Sequence, residues 1–509
     1  MLKKIRTAIS IALFSLITFF FIDFAGLMPG DTAKLLTKMQ LIPAMLSLSA
    51  AVLIALAALT LLLGRVYCSS ICPMGVFQDV VAWLSKRVFP KKRYRFSKPK
   101  NILRITMLAA AGVIFLKFPL LLGFIDPYSA YGRVAANVFR PVYMAGNNAL
   151  EAIFTTFGSY AFYKTNVFIA SATAFTVALL TMAAIGYLAW RHGRAYCNTI
   201  CPVGTILGFL SKFSVFKIRI DHSKCNGCRA CEMKCKAACI SGKRHTVDHS
   251  RCVGCFSCLD ICHKNAISFS PALTRKSADA SPAQRPVDEG KRRFLKAGVA
   301  TAVAAPVAAA KDGAASLTGT RKYVRQHPIS PPGSVSTENM LKRCTSCHLC
   351  ISKCPSRALK PAFMEYGLAG MMQPVMYFEK GFCNFDCTIC SEVCPTGAIK
   401  RLTKEEKHLN QGGRVVFTRD ICVVQVEETS CGACSEHCPT QAVTMIPYKD
   451  GLTIPHLNVE ICIGCGGCEF ICPARPLRAI HVEGLAVQGK AKPFEEQEKE
   501  DKEINSFGF

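Results

Sequence analysis

Cys344-Thr-Ser-Cys347-His-Leu-Cys350-Ile-Ser-Lys-Cys354-Pro355 decides how this chain is read. Two residues between successive cysteines let a short loop wrap three thiolates around one face of an iron–sulfur cube. A fourth cysteine, followed by proline, leaves on a helix and serves the neighbouring cube in two-cluster ferredoxins. Outward from this stretch the run recurs as Cys383, Cys387, Cys390 and Cys394, then Cys422, Cys431, Cys434 and Cys438, then Cys462, Cys465, Cys468 and Cys472. Two more runs lie mid-chain, Cys225, Cys228, Cys231 and Cys235, and Cys252, Cys255, Cys258 and Cys262. Proline follows the fourth cysteine at Pro355, Pro395, Pro439 and Pro473, whereas Lys236 and His263 stand there mid-chain. Six runs predict six [4Fe-4S] clusters and a chain that carries electrons.

Competing uses of cysteine fit poorly. Disulfide scaffolds belong to short secreted chains, and this one has 509 residues. Zinc sites pair two C-x-x-C units across a longer spacer. Cys344-Thr-Ser-Cys347-His348 also spells a c-type haem attachment motif, but Cys350 and Cys354 complete a ferredoxin run from the same cysteines.

Half the residues are apolar. Four stretches, near 7–28, 41–63, 102–124 and 167–190, approach the roughly 20 apolar residues needed to cross a bilayer. The more polar stretch 142–163 reads as a surface segment. The net charge of +28 concentrates in Lys3, Lys4 and Arg6, in the connection 86–100, and in Arg191 and Arg194. By the positive-inside rule the N-terminus and the chain after the fourth span are cytoplasmic. Topology and anionic lipid account for this charge, and no nucleic-acid recognition motif accompanies it.

The expected fold is a membrane α-helical bundle of four spans, five if a later segment also crosses, followed by two α+β bacterial-ferredoxin-like domains. The bundle occupies 1–215 and a two-cluster cytoplasmic ferredoxin domain 216–270. A linker, 271–320, holds Lys291-Arg292-Arg293-Phe294-Leu295-Lys296 before an Ala-rich run ending at Ala310, the pattern of a twin-arginine export signal. A four-cluster domain, 321–485, would then lie outside the cytoplasm. The acidic tail, 486–509, reads as disordered. Short β-prone stretches trail the runs at Ala266–Phe269, Ala398-Ile399, Ala442–Met445 and Ala479–Val482. If fourth ligands are exchanged, one mid-chain cube uses Cys225, Cys228, Cys231 and Cys262, and the other Cys252, Cys255, Cys258 and Cys235. Cys239 is left over, by default a spare buried thiol, with a ligand role as the lesser alternative. Pairing in the irregular runs, 383–394 and 422–438, stays open.

A second motif occurs twice: Cys68-Ser-Ser-Ile-Cys72-Pro73 and Cys197-Asn-Thr-Ile-Cys201-Pro202. Gly64-Arg65-Val66-Tyr67 precedes one copy and Gly193-Arg194-Ala195-Tyr196 the other, and Gly75 matches Gly204. This is an internal duplication that brings four cysteines to one membrane face. They would hold a mononuclear metal, form redox-active disulfides, or serve structure alone. Asp126, Tyr128 and Tyr131 are candidates for quinol protons, against the plainer reading of an interfacial turn.

These motifs carry a family resemblance. The four-span half, with two C-x-x-x-C-P motifs and a trailing ferredoxin, resembles NapH and the related membrane ferredoxins of the nitrous-oxide regulator and CcoG-type oxidase-assembly families. The second half, with its twin-arginine segment, Ser330-Pro331-Pro332-Gly333 and four runs, is similar to NapG and MauM. The resemblance implies an electron-transfer module of a quinol dehydrogenase in the bacterial inner membrane, its partners quinol, lipid and a cytochrome or periplasmic reductase. Lys342, Arg343, Lys353 and Arg357 would steer an acidic partner. The alternative is a maturation factor that reduces a metal for insertion into an oxidase or reductase.

Overall fold

The computed structural model describes residues 1–28, 35–89, 94–117, 123–271 and 323–493, with side chains omitted at 114–117. The linker with its twin-arginine-like segment, and most of the acidic tail, lie outside the described residues.

The N-terminal half is helical. Its elements are α1 (Leu2–Ile22), α2 (Leu41–Leu46), α3 (Ala50–Leu63), α4 (Val66–Ser70), α5 (Pro73–Val88), α6 (Asn101–Lys117), α7 (Pro127–Val134), α8 (Arg140–Thr156), α9 (Ala172–His192), α10 (Ala195–Thr199) and α11 (Pro202–Leu210). Among the described residues two helices, α1 and α9, are long and apolar enough to cross a membrane, each with 21 residues. At 1.5 Å per residue either is about 31 Å long. The expected second span, 41–63, is broken between α2 and α3, where Leu48 takes a φ of 54° and the Ser47 and Ser49 hydroxyls bond each other. The expected third span is helical as far as Lys117, and its continuation at 118–122 is outside the described residues. Segment 142–163, expected as a surface segment, is mostly the helix α8, joined to α7 through a π-turn at Ala135–Phe139.

The duplication is visible in the backbone. In each copy a long helix ends at a glycine of positive φ, Gly64 or Gly193. A five-residue helix carrying the first cysteine follows, then a helix whose N-cap is the second cysteine and whose first residue is proline. Proline suits that position because its missing N–H would have no helical partner there.

Two ferredoxin units flank the bundle. The short unit, 216–271, pairs Phe216–Ile220 antiparallel with Ile267–Pro271. The long unit, 323–493, is tied by Asn410–Phe417 against Ile480–Lys490 and by Val443–Pro447 against Thr453–Leu457. Ala398-Ile399, expected to be extended, forms a bend instead. The units sit at opposite ends of α1. Lys3, at its start, pairs with Asp260 of the short unit at 2.5 Å. Asp23, its C-cap, pairs with Lys353 of the long unit at 2.9 Å.

Candidate functional site: six cysteine nests and a buried quartet

In the four regular runs the loop is shaped by two left-handed residues around the second cysteine. They are Gly227 and Arg229, Gly254 and Phe256, Ser346 and His348, and Gly464 and Gly466. This conformation turns three sulfurs inward, and it favours glycine because a Cβ is crowded there. The irregular runs use other loops: Thr388 and Gly432, at the matching position, have φ of −109° and −133°. A short helix then carries the third cysteine and delivers the fourth to the neighbouring loop.

The sulfurs gather in fours. One cavity is lined by Cys225, Cys228, Cys231 and Cys262. A second, of about 360 Å³, is lined by Cys354, Cys383, Cys387 and Cys390. A third, of about 350 Å³, is lined by Cys422, Cys431, Cys434 and Cys472. A fourth, of about 290 Å³, is lined by Cys438, Cys462, Cys465 and Cys468. The two remaining groups are read from mutual electrostatics: Cys258 feels Cys255, Cys252 and Cys235 ahead of Cys231, and Cys350 feels Cys347, Cys344 and Cys394 ahead of Cys390. Every nest thus takes three cysteines from one run and the fourth from its partner run, including the two irregular runs left open by spacing. Burial first, then neighbouring thiols, pushes the Cys258, Cys350, Cys390 and Cys468 thiols well above their ordinary range. Burial and Cys431 take Cys434 to about 12. Sulfurs so crowded and dry are poor free thiols and good ligands, since iron takes over the charge of each thiolate.

Among the described residues, no three His, Cys, Asp or Glu side chains stand close enough to share one metal ion.

The nests form a series. The one with Cys262 is the most open, and Cys228 is exposed. Next comes the Cys235–Cys258 nest against the bundle, where Gly254 lies so near Val66 that a Cβ would stand 3.0 Å from it. Beyond the bundle lies the Cys344–Cys394 nest, its Ser346 carbonyl accepting from Arg133 at 3.3 Å. The Cys354–Cys390 nest follows. It is joined to the Cys438–Cys468 nest by the Cys383 N–H donating to the Cys465 carbonyl at 2.9 Å. The Cys422–Cys472 nest is last.

Cys239 belongs to this series, which spacing alone did not reveal. Its sulfur lies 3.5 Å from that of Cys235, and its hydrogen bonds lower the Cys235 and Cys252 thiols. His348 serves no haem. Asn137 donates to its Nδ1 at 2.9 Å, and its Nε2 donates to the Met372 carbonyl at 3.0 Å. Burial and Arg133 lower its pKa to about 3, so the ring is neutral.

The quartet Cys68, Cys72, Cys197 and Cys201 is brought together deep in the bundle, each sulfur-bearing residue at most 4 % exposed. Of the three readings weighed for it, the mononuclear metal finds no support, since no group able to hold a single metal ion is found among the described residues. Two arginines cross between the repeats. Arg65 donates to the Cys197 carbonyl at 3.2 Å and Arg194 to the Cys68 carbonyl at 2.6 Å. Each also points at the sulfur of its own copy, Arg65 to Cys68 at 3.8 Å and Arg194 to Cys197 at 4.0 Å. The matched glycines allow the crossing: a Cβ on Gly75 would lie 2.1 Å from the Cys68 carbonyl, and one on Gly204 equally close to that of Cys197.

The quinol candidates lie in the interior. Asp126 caps α7, accepting from the Ser129 backbone and hydroxyl at 2.8 and 2.7 Å, and is 1 % exposed. Tyr131 meets Thr18 at 2.5 Å. Of the basic residues expected to steer a partner, Lys353 is engaged with Asp23, and Arg357 donates to the Asn166 carbonyl at 3.1 Å. Lys342 pairs with Glu338 at the surface.

Comparison with known proteins agrees with this geometry. The profile of a 4Fe-4S binding domain matches twice, at 45–92 and 173–221, once on each repeat. Profiles of 4Fe-4S dicluster domains match 248–358 and 429–475. The chain is an iron–sulfur protein of the ferredoxin type. It is similar to the ferredoxin-type protein NapF of Escherichia coli, 28% identical over 32% of this chain and 90% of that one. It is also similar to NapG of Escherichia coli, 28% identical over 36% and 81%. The methylamine utilization protein MauM of Methylobacillus flagellatus is 26% identical over 32% and 72%. An uncharacterized protein of Methanocaldococcus jannaschii shares 23% identity over 43% of this chain. No solved structure matches.

Proposed function

We propose that the chain is a membrane-bound electron carrier with six [4Fe-4S] clusters, a NapH-like half fused to a NapG-like half. It takes electrons from quinol or a cytoplasmic donor and passes them to a redox protein on the other side of the membrane. The observation that carries this reading is the placement of the two ferredoxin units at opposite ends of a 21-residue apolar helix. Its length of about 31 Å matches a hydrocarbon core of about 30 Å. In this reading four segments of the bundle lie in the membrane, the short unit faces the cytoplasm and the long unit faces outward. The 24 nest cysteines are the ligands, three from one run and one from its partner.

The clusters supply one-electron carriage, with potentials set by hydrogen bonds, charge and burial. The chain's own residues hold the sulfurs, exclude water and fix the order of the nests. The exposed end at Cys228 is where the short unit would meet a partner, and the Cys422–Cys472 nest serves the other end. Quinol oxidation would need a proton acceptor near the bundle, and Asp126 is engaged there as a helix cap.

Adding a menaquinol analogue to the anaerobically purified chain tests the reading. Rapid loss of visible absorbance and appearance of paramagnetic signals are expected. Reduction by dithionite but not by quinol would move electron entry to another protein and favour the metal-reducing maturation role.

A further inference from the structure

We infer that the buried phenol of Tyr128 donates a hydrogen bond to the iron–sulfur centre of the Cys344–Cys394 nest, and that the bundle thereby raises the potential of the centre docked on it. The inference rests on the carrier reading above and gives one residue of the bundle a part in it.

Position is the first argument. The helix α7 and the π-turn after it lie along the loop Thr345–His348. Arg133 donates to the Ser346 carbonyl at 3.3 Å, and Asn137 meets His348 Nδ1 at 2.9 Å. Residues four apart share a helix face. Gly132, four after Tyr128, comes so near that a Cβ on it would stand 2.6 Å from the Cys347 carbonyl. Tyr128 therefore sits on the face pressed to Cys347. Phe21 flanks its ring, the centroids 5.9 Å apart. The electrostatic neighbours of the phenol are Cys347, Asp126, Cys394 and Tyr67. Cys347 and Cys394 come from the two different runs that build this one nest, so the phenol faces the centre they hold.

The unmet donor is the second. Tyr128 is 1 % exposed, and its hydroxyl has no hydrogen-bond partner among the described residues. Leaving a buried hydroxyl unpaired is costly, and native interiors hold few. Another phenol at the same nest shows the ordinary solution: Tyr366, which neighbours Cys344 and Cys350, donates to the Pro374 carbonyl at 3.1 Å. The buried hydroxyls of Thr345 and Ser346 are likewise without a partner. Three unpaired hydroxyls around one nest call for an acceptor inside it, and the sulfurs of a cube are acceptors.

The sign follows from charge. One electron from the donor turns one ferric ion ferrous and leaves the sulfurs more negative, so a hydrogen bond to sulfur favours the reduced form. Burial works the other way, because it disfavours added charge. Arg133 and Asp126 act on Cys347 with opposite signs, so neither charge acts unopposed. The phenol adds to the reducing side and keeps its O–H bond in both states.

The test uses the full chain, purified anaerobically with its iron. Redox titration followed by paramagnetic resonance reads the midpoints, and electron–nuclear double resonance in H2O and D2O reads exchangeable protons at the reduced centres. Tyr128→Phe keeps the ring and is expected to keep iron and acid-labile sulfide. One centre's reduced-to-oxidised ratio at fixed potential should fall about tenfold, a midpoint lowered by about 59 mV for a one-electron couple. The same variant should lose one exchangeable-proton coupling. Tyr366→Phe, which removes a phenol already paired, is expected to move no midpoint. Unmoved midpoints or a retained coupling in Tyr128→Phe overturns the inference, and so does an equal shift in Tyr366→Phe. A wild type without any exchangeable-proton coupling overturns it before a variant is made. Dithionite bleaching of the wild type separates the two readings. Its absence sinks the carrier itself, while bleaching alongside an unmoved Tyr128→Phe sinks only the part given to the phenol.

Discussion

At the short unit, Arg65 donates to the Ser250 carbonyl, and Gly208 lies so close that a Cβ would stand 2.5 Å from that oxygen. At the long unit, Arg133 donates to the Ser346 carbonyl, and a Cβ on Gly132 would stand 2.6 Å from the Cys347 carbonyl. Both docking sites press a cysteine loop onto a bare helix backbone and pin it with a buried arginine. They differ in what surrounds the nest. The short unit brings five thiols, with Cys239 beside Cys235; the long unit brings four and borders the phenol of Tyr128. The lesson is that docking is generic, while the chemistry on either side of the bundle is not.

The widest gap in that comparison is the spare thiol. Cys394→Ser is expected to cost the long unit a whole centre, read as lost iron and a lost paramagnetic signal. Cys235→Ser is expected to keep its centre, with Cys239 taking the vacated place, and only Cys235→Ser/Cys239→Ser should lose it. Equal loss in both single variants would erase the distinction.

Next come the pins. Arg133→Met leaves the Ser346 and Gly123 carbonyls without their donor. It should destabilise the long unit's docking by about 2–4 kcal/mol, from two charge-assisted hydrogen bonds, read as easier proteolytic release of the long unit. Gly132→Ala and Gly208→Ala should each cost about 1–3 kcal/mol through overpacking, visible as a lowered midpoint of thermal bleaching. If only one of the pair matters, the docking sites are not equivalent.

The smallest effect sharpens the contrast between spelling and use. His348→Phe removes two hydrogen bonds and leaves Asn137 short of a partner, a loss of about 1–3 kcal/mol, with the metal content unchanged and no haem signal in either protein.

Much of this was legible in the sequence because cysteine spacing encodes a local loop. The regular runs state their own geometry, down to Gly227, Gly254 and Gly464 at left-handed positions. The twin C-x-x-x-C-P copies were also plain. Hidden were relations between distant residues: which run partners which when spacing is irregular, the crossing of Arg65 and Arg194, and the docking of Ser346 against Arg133, 213 positions apart. Hydropathy marked four apolar stretches; among the described residues α1 and α9 reach full length, and Leu48 breaks the second. A signal for the crossing did exist in the repeated Gly-Arg-x-Tyr-Cys flank, but its meaning needed both copies in space.

The crossed arginines bear on ancestry. An arginine that reaches across to the other copy's backbone is half of a handshake, as expected if two identical chains once met about a twofold axis. Joining them in one chain released each hand to change. Where the first copy has Gln78 and Asp79, the second has Leu207 and Gly208. Asp79 gathers Arg6, Arg194 and Lys236, while Gly208 makes room for the short unit's loop. A symmetric pair would have to repeat either choice on both sides; the fused pair assigns one to each, and so acquires a direction.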